Sequence, residues 1–427
     1  MVVAMREMKD SGAAFIGHVP MSWHTDKVKY HLERYEVRNP GDQQILSVYR
    51  EYGVIPKDSR DDNHNVTSED TTKYKYVKPG YFVINKMKAW QGSMGVSDHE
   101  GVVSPAYFIY RFRDDLFNKR YFHYLLRGCY KDEFRRLSGG IREGQWDLPS
   151  QAFENTIVLV PNILEQQAIV AFLDSKCAEI DALSADIQSE IDTLEAYKRS
   201  VITEAVTKGL DKTVPMKDSG IEWVGQIPAD WNLVPIRAVF EEVTDKNFDG
   251  SVKNALKFTY GEIVPKTNFE ADDDDYVANT ILNYTVVEPG TIMLNGLNLN
   301  FDFVSQRIGL VKNKGVITSA YMAFKPLGDR VSSEFATYLF KAYDGCKALH
   351  NMGGGVRKIL NFSEFKRYYV CFPTRFEQQA IVAFLDSKCA EIDSIIAQKQ
   401  EQLAVLADYK KSVIYEYVTG KKEVPVA

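Results

Sequence analysis

Two stretches of the chain carry apolar residues at the spacing of a packed helix. In the first, Leu173, Ile180, Ile187, Leu194 and Val201 recur by sevens, with Leu183 and Tyr197 as the intermediate seam positions. In the second, Leu385, Ile392, Leu406 and Val413 keep that spacing, with Ile395 and Tyr409 between them and Lys399 on the seam. A helix from Glu165 to Gly209 would be about 65 Å long. No helix of that length hides its stripe alone, so the two stretches are expected to pack on each other. Elsewhere the apolar runs are short and bounded by turns. Pro79-Gly80 precedes Tyr81–Asn85 and Pro289-Gly290 precedes Thr291–Asn295, each a turn and then a strand. Aromatic-rich amphipathic helices are expected around Lys119–Tyr130 and Ser333–Tyr343, and a last strand ends at Pro161 or Pro373. The predicted class is α+β.

These elements come in pairs because the chain is an internal duplication. Residues 165–181 recur letter for letter as 377–393, from Glu-Gln-Gln-Ala-Ile-Val-Ala-Phe-Leu-Asp through Cys177 or Cys389 to Asp181 or Asp393. Met8-Lys9-Asp10-Ser11-Gly12 returns as Met216-Lys217-Asp218-Ser219-Gly220, each followed by an aromatic, a Gly, a Pro and a Trp (Trp23, Trp231). Gly101-Val102-Val103-Ser104-Pro105-Ala106-Tyr107 matches Gly315-Val316-Ile317-Thr318-Ser319-Ala320-Tyr321, and Gly139-Gly140-Ile141-Arg142 matches Gly354-Gly355-Val356-Arg357. The segments between agree poorly: 35–47 and 86–93 do not resemble 242–254 and 296–306. One frame, used twice with different loops, suits a protein that reads two different things. The expected organisation is a first globular domain at 1–164, a helix at 165–209, a linker at 210–215, a second globular domain at 216–376 and a helix at 377–422.

Composition narrows the function classes. The net charge of −6 looks wrong for a nucleic-acid binder until it is divided along the chain. Residues 1–164 carry +2 and 216–376 carry −1, while the helical stretches 165–215 and 377–427 carry −5 and −2. The globular parts are near neutral, so each is free to present a basic face. Five cysteines without a C-x-x-C pair argue against a disulfide framework and a zinc site, and Cys177 and Cys389 are expected as buried thiols. No run of eighteen apolar residues exists and the start lacks a signal peptide's apolar core, so a cytoplasmic location is expected. Catalytic signals are missing from the sequence. There is no P-loop, no Asn/Asp-Pro-Pro-Tyr/Phe motif, no metal spacing among the histidines, and Asp272–Asp275 reads as a solvated loop.

The chain resembles the DNA-specificity (S) subunits of type I restriction–modification systems over essentially its whole length. The resemblance is carried by the twice-used opening, fullest at Asp218-Ser219-Gly220-Ile221-Glu222-Trp223-Val224-Gly225-Gln226-Ile227-Pro228 with Trp231, and by the repeated helix starts. The Gly-x-x-Ser/Thr-x-Ala-Tyr segments and the Gly-Gly-x-Arg turns carry it further. The first copy of the opening departs at Ala13-Ala14-Phe15. The resemblance implies two target-recognition domains in pseudo-twofold tandem, each reading half of a bipartite site in duplex DNA. It implies that the helices form an antiparallel coiled coil that spaces the domains and docks two methyltransferase subunits, with restriction/translocase subunits as further partners. The chain itself would be non-catalytic and hold no cofactor; S-adenosylmethionine, ATP and Mg²⁺ would belong to the partner subunits. A nuclease or methyltransferase acting alone, and a scaffold whose globular ends bind protein, are the alternatives.

Candidate DNA-contacting residues come from chemistry at matched positions. Gly140 with Arg142, and Gly355 with Arg357, combine a close-approaching backbone with a cation suited to phosphate or guanine. Ser104 with Tyr107, and Thr318 with Tyr321, pair a small hydroxyl with an aromatic beside a glycine; a strand packing its Tyr inward gives the same pattern. The non-matching loops are expected to carry specificity: Lys86, Lys88, Trp90, Gln91 and Ser93 in the first copy, Asn295, Asn298, Asn300 and Gln306 in the second. Asn and Gln suit adenine, Lys and Arg suit guanine, although any polar surface loop has a similar composition.

Overall fold

The structure, a computed structural model, describes residues 6–50, 52–59, 70–140, 146–266, 281–299, 306–352 and 358–425. Contacts divide the chain into two units, Met1–Ile187 with Glu401–Ala427, and Gln188–Gln400. The class is α+β, as expected. In the first unit the elements are β1 (His24–Lys27), β2 (Leu32–Arg34), β3 (Lys75–Val77), β4 (Phe82–Asn85), β5 (Met94–Val96), β6 (Gly101–Val103), β7 (Tyr107–Phe112), α1 (Lys119–Cys129), α2 (Lys131–Leu137), β8 (Ile157–Val160) and the start of α3 (Ile163–Lys208). The second unit repeats the plan with β9 (Asn232–Pro235), β10 (Phe240–Glu242), β11 (Thr285–Val287), β12 (Ile292–Leu294), β13 (Ile308–Leu310), β14 (Gly315–Ile317), β15 (Met322–Pro326), α4 (Ser333–Gly345), β16 (Tyr369–Phe372) and the start of α5 (Arg375–Val418).

Each unit is built on one four-stranded antiparallel sheet, ordered β2-β7-β4-β5 in the first and β10-β15-β12-β13 in the second. Registers correspond: Phe108 faces Ile84 where Met322 faces Leu294, and Arg34 faces Tyr110 where Glu242 faces Phe324. Apolar residues cover both faces. In the first unit Phe82, Ile84, Phe108 and Tyr110 enter the main core, whereas Val83, Ile109 and Tyr107 enter a smaller one. The second unit divides Ile292, Leu294 and Phe324 from Met293, Ala323 and Tyr321 in the same way. Alternation of side chains across a strand produces this division.

The long helices are part of these cores. Ile169, Leu173, Val413 and Val418 belong to the first, and Ile202, Val206, Ile381 and Leu385 to the second. Within each unit the two helical segments run antiparallel. Lys410 Nζ meets Asp181 at 2.6 Å and Phe172 lies 4.3 Å from the Tyr417 ring in the first; Lys198 Nζ meets Asp393 at 2.6 Å in the second. Lys399, expected on the seam, reaches the Glu190 carboxylate there. The buried seam differs by one position from the expected one. Leu183 and Tyr197 are each 49% exposed, whereas Cys177, Ile191, Cys389 and Ile396 are buried. The companion positions fall four residues after the heptad leucines and isoleucines rather than three, a choice the spacing by sevens leaves open.

The repeated helix start is explained by docking. Gln166 is fully buried; its Oε1 accepts the Asn118 N–H at 2.7 Å and its Nε2 donates to Leu116 O and Pro161 O. Gln378 repeats this with the Ser332 N–H, Arg330 O and Pro373 O. Further along the same helices, Asp174 accepts the Tyr124 hydroxyl at 2.6 Å and Asp386 the Tyr338 hydroxyl at 2.7 Å.

Candidate nucleic-acid interface

In both units the loop after the central strand is started by an asparagine that makes an Asx turn. Asn85 Oδ1 accepts the Met87 N–H, and Asn295 Oδ1 accepts the Leu297 N–H, both at 3.2 Å. The loops close alike: the Asn85 N–H donates to Ser93 O, the Asn295 N–H to Arg307 O. A second segment, after the helix and the glycine turn, lies along each loop. The Leu148 N–H donates to Lys86 O at 3.0 Å and the Leu360 N–H to Gly296 O at 2.9 Å. The fold therefore brings the divergent loop together with Leu148 or Leu360, downstream of the Gly-Gly-x-Arg segment, in each unit. It does so with backbone hydrogen bonds that do not depend on which side chains the loop carries.

In the first unit, Lys86 Nζ forms an ion pair with Asp147 at 2.5 Å. Lys88 is exposed. Trp90 donates from Nε1 to Met87 O, stands edge-on to Trp146 at 5.7 Å, and carries Arg135 over its ring at 5.8 Å. Gln91 is half-buried and among the described residues its Oε1 has no hydrogen-bond partner, while Ser93 is 2% exposed. Gly139 pairs with Asp147, leaving Gly140 exposed beside the loop. Ser104 and Tyr107 form the turn into β7, where the Tyr107 N–H donates to Ser104 O and Tyr107 lies opposite Asn85. Tyr107 packs its ring against the smaller core, and burial raises its pKa.

In the second unit Asn298 is exposed, with a left-handed φ of 50°, and Gln306 is exposed at the other end of the loop. Thr318 and Tyr321 make the equivalent turn, with the Tyr321 ring 5.5 Å from Phe258. Arg142, Asn300, Gly355 and Arg357 lie outside the described residues, as does Asp272–Asp275.

Sequence reasoning missed Arg307. It is 8% exposed and its guanidinium donates to Asn295 O at 2.8 Å, Leu297 O at 2.6 Å and Asn298 O at 3.2 Å. Its own N–H donates to the buried carboxylate of Asp344 at 2.8 Å. One arginine thus fastens three backbone carbonyls of the loop. The available signal was a single basic residue directly before a strand in an Asn-rich stretch. Also missed were Trp146 and Asp147, which supply the aromatic and the acid facing the first loop.

Among the described residues no helix is long and apolar enough to cross a membrane. No protein-family model matches the chain. It is 24% identical over 278 residues to the type I restriction enzyme MjaVIII specificity subunit of Methanocaldococcus jannaschii, an alignment covering 63% of this chain and 63% of that protein. It is 21% identical over 341 residues to the type I restriction enzyme EcoBI specificity subunit of Escherichia coli, covering 72% of this chain and 67% of that one. The match thus spans less than two thirds of the first relative's length. Among solved structures, a chain from a type I R-M system, solved for complex assembly and conformational transition, superposes with a TM-score of 0.69 at 13% identity. That superposition covers 95% of this chain and 99% of that chain. The resemblance read in the sequence is borne out, since these relatives are type I restriction enzyme specificity subunits.

Proposed function

We propose that this chain, a relative of type I restriction enzyme specificity subunits, is itself the DNA-specificity subunit of such a complex. Each unit reads one half of a bipartite duplex target through the loop after its central strand and the segment beside it. The paired helices set the spacing and dock two methyltransferase subunits. Restriction/translocase subunits join the complex for cleavage. S-adenosylmethionine, ATP and Mg²⁺ are held by those partners, and this chain performs recognition without catalysis.

The observation that carries the reading is one loop start and one closing bond built twice around different contents. Asn85 and Asn295 start the loops alike, yet one loop continues with Lys86, Lys88 and Trp90 and the other with Gly296, Asn298 and an anchoring Arg307. Direct readout requires this: a fixed platform against the groove with interchangeable side chains. The test is methylome sequencing of cells carrying the chain with its cognate methyltransferase. Methylation at a two-part sequence with an unread gap is expected. Methylation at a continuous site, or none that depends on this chain, would overturn the reading.

A further inference from the structure

Three cations of the first unit surround one aromatic ring. The Arg34 guanidinium lies 4.5 Å from the Phe108 ring centroid, Lys75 Nζ 5.9 Å and Lys86 Nζ 6.0 Å. They come from positions far apart in sequence: Arg34 ends β2 on one side of β7, Lys86 follows β4 on its other side, and Lys75, on β3 outside that sheet, donates from Nζ to Tyr107 O at 3.0 Å. Among the described residues two carboxylates reach them, both well exposed: Glu36 bonds Arg34 at 2.7 Å and lies 3.5 Å from Lys75, and Asp147 pairs with Lys86. Three positive charges against two negative ones leave a net excess beside the proposed readout loop. Burial, and then the repulsion of Arg34 and Lys86, lower the Lys75 pKa against the pull of Glu36. Crowding like charges opposes folding, and a bound anion relieves it. The second unit has no cation at the matching positions, and there Lys246 Nζ lies 3.3 Å from the Thr285 hydroxyl. At the corresponding register positions it carries Glu242, Thr285, Gly296 and Met322.

We propose that Arg34, Lys75 and Lys86 around Phe108 form a phosphate clamp for the DNA backbone, present in the first unit and absent from the second. It rests on the DNA-binding reading above and adds that the two half-sites are held by different physics. The first unit's binding depends on counterion release, whereas the second relies on an arginine-anchored neutral loop. Phosphate contacts hold register without reading sequence.

The full chain, with any subunits that copurify, is titrated into labelled duplexes of random sequence over a salt series and followed by fluorescence anisotropy. R34Q, K75Q and K86Q are each expected to weaken binding roughly fivefold to tenfold near ~0.1 M salt and to flatten the log–log salt slope by about one. D147N and E36Q remove the competing carboxylates and are expected to tighten binding and steepen the slope. A variant that merely disturbed folding would not improve affinity, so that sign separates a clamp from a structural ion pair. Unchanged affinity and slope in the glutamine variants, or weaker binding by D147N, would overturn the clamp while leaving the DNA reading intact. A wild-type chain that binds no duplex at any salt would sink both.

Discussion

The two loops after the central strands start and close alike and differ in how they are held. In the first unit, the loop is short and its neighbour is attached through charge: Lys86 pairs with Asp147 across the gap. In the second, the same two places are Gly296 and Ile359, and any Cβ at Gly296 would collide with the Leu360 carbonyl oxygen. That loop is longer and is fastened from beneath by Arg307. The closing bonds, Asn85 N–H to Ser93 O and Asn295 N–H to Arg307 O, are the same. Loops can diverge freely when the frame is held by main-chain groups, because those groups are present whatever the side chain.

The hardest test of this comparison is exchange. Replacing residues 23–160 with the corresponding region of a relative should change one half of the methylated sequence completely and leave the other untouched. Methylome mapping that showed both halves changed would end the idea of independent readers.

Next come the parts the units share. Gln166 and Gln378 each satisfy one buried N–H and two carbonyls. Gln166→Leu and Gln378→Leu should each cost about 3 kcal/mol or more by leaving those groups unpaired. The two losses, measured by urea unfolding of the full chain, should be equal. Clearly unequal losses would show that the duplicated helix starts dock by different means.

Arg307 and Ser93 occupy one place in the frame, and there the units should part. Arg307→Ala removes three charge-assisted hydrogen bonds from a buried site and should cost about 2 kcal/mol. Ser93→Ala should stay within about 0.5 kcal/mol. Hydrogen exchange should speed up at 295–299 in the first variant. Equal costs would mean that Arg307 is not the anchor of its loop.

The features legible in the sequence, and those hidden in it, divide along the same line. Duplicated letters exposed the repeat, and periodicity exposed strands, helices and the burial of Cys177 and Cys389. The companion seam was misplaced by one residue because Leu183 and Tyr197 are apolar yet face outward, as a helix flanked by a domain allows. The cluster around Phe108 was hidden because Arg34, Lys75 and Lys86 meet only through contacts between segments distant in sequence. Arg307 was hidden because nothing in its letter distinguishes a buried anchor from a surface cation. Long-range register, not local pattern, decides both.

The smallest expected difference is in acid sensitivity. His123, on α1, sits where α4 has Thr337, each five residues after its capping residue, Asn118 or Ser332. Burial, then Arg127 and Arg120, push the His123 pKa down to about 3 against the opposing Asp174. Its Nδ1 accepts the Val96 N–H at 3.2 Å, which requires that nitrogen to be unprotonated, and Arg127 Nη1 lies 2.9 Å from Nε2. An unfolded histidine titrates near ~6.5. Because the folded value is depressed, the unfolded chain binds the extra proton first. The neutral ring's contribution is whole above ~6.5 and declines as pH falls toward 3, by about 1.4 kcal/mol at pH ~5.5. Thr337 has no such proton, and its hydroxyl donates to Ser333 O at 2.7 Å. Hydrogen exchange, corrected for intrinsic rates, should therefore show peptides from Lys119–Cys129 losing protection between pH ~7 and ~5.5 more than those from Ser333–Gly345. His123→Thr should remove the difference. Parallel loss in both helices of the wild type would show that His123 does not set it.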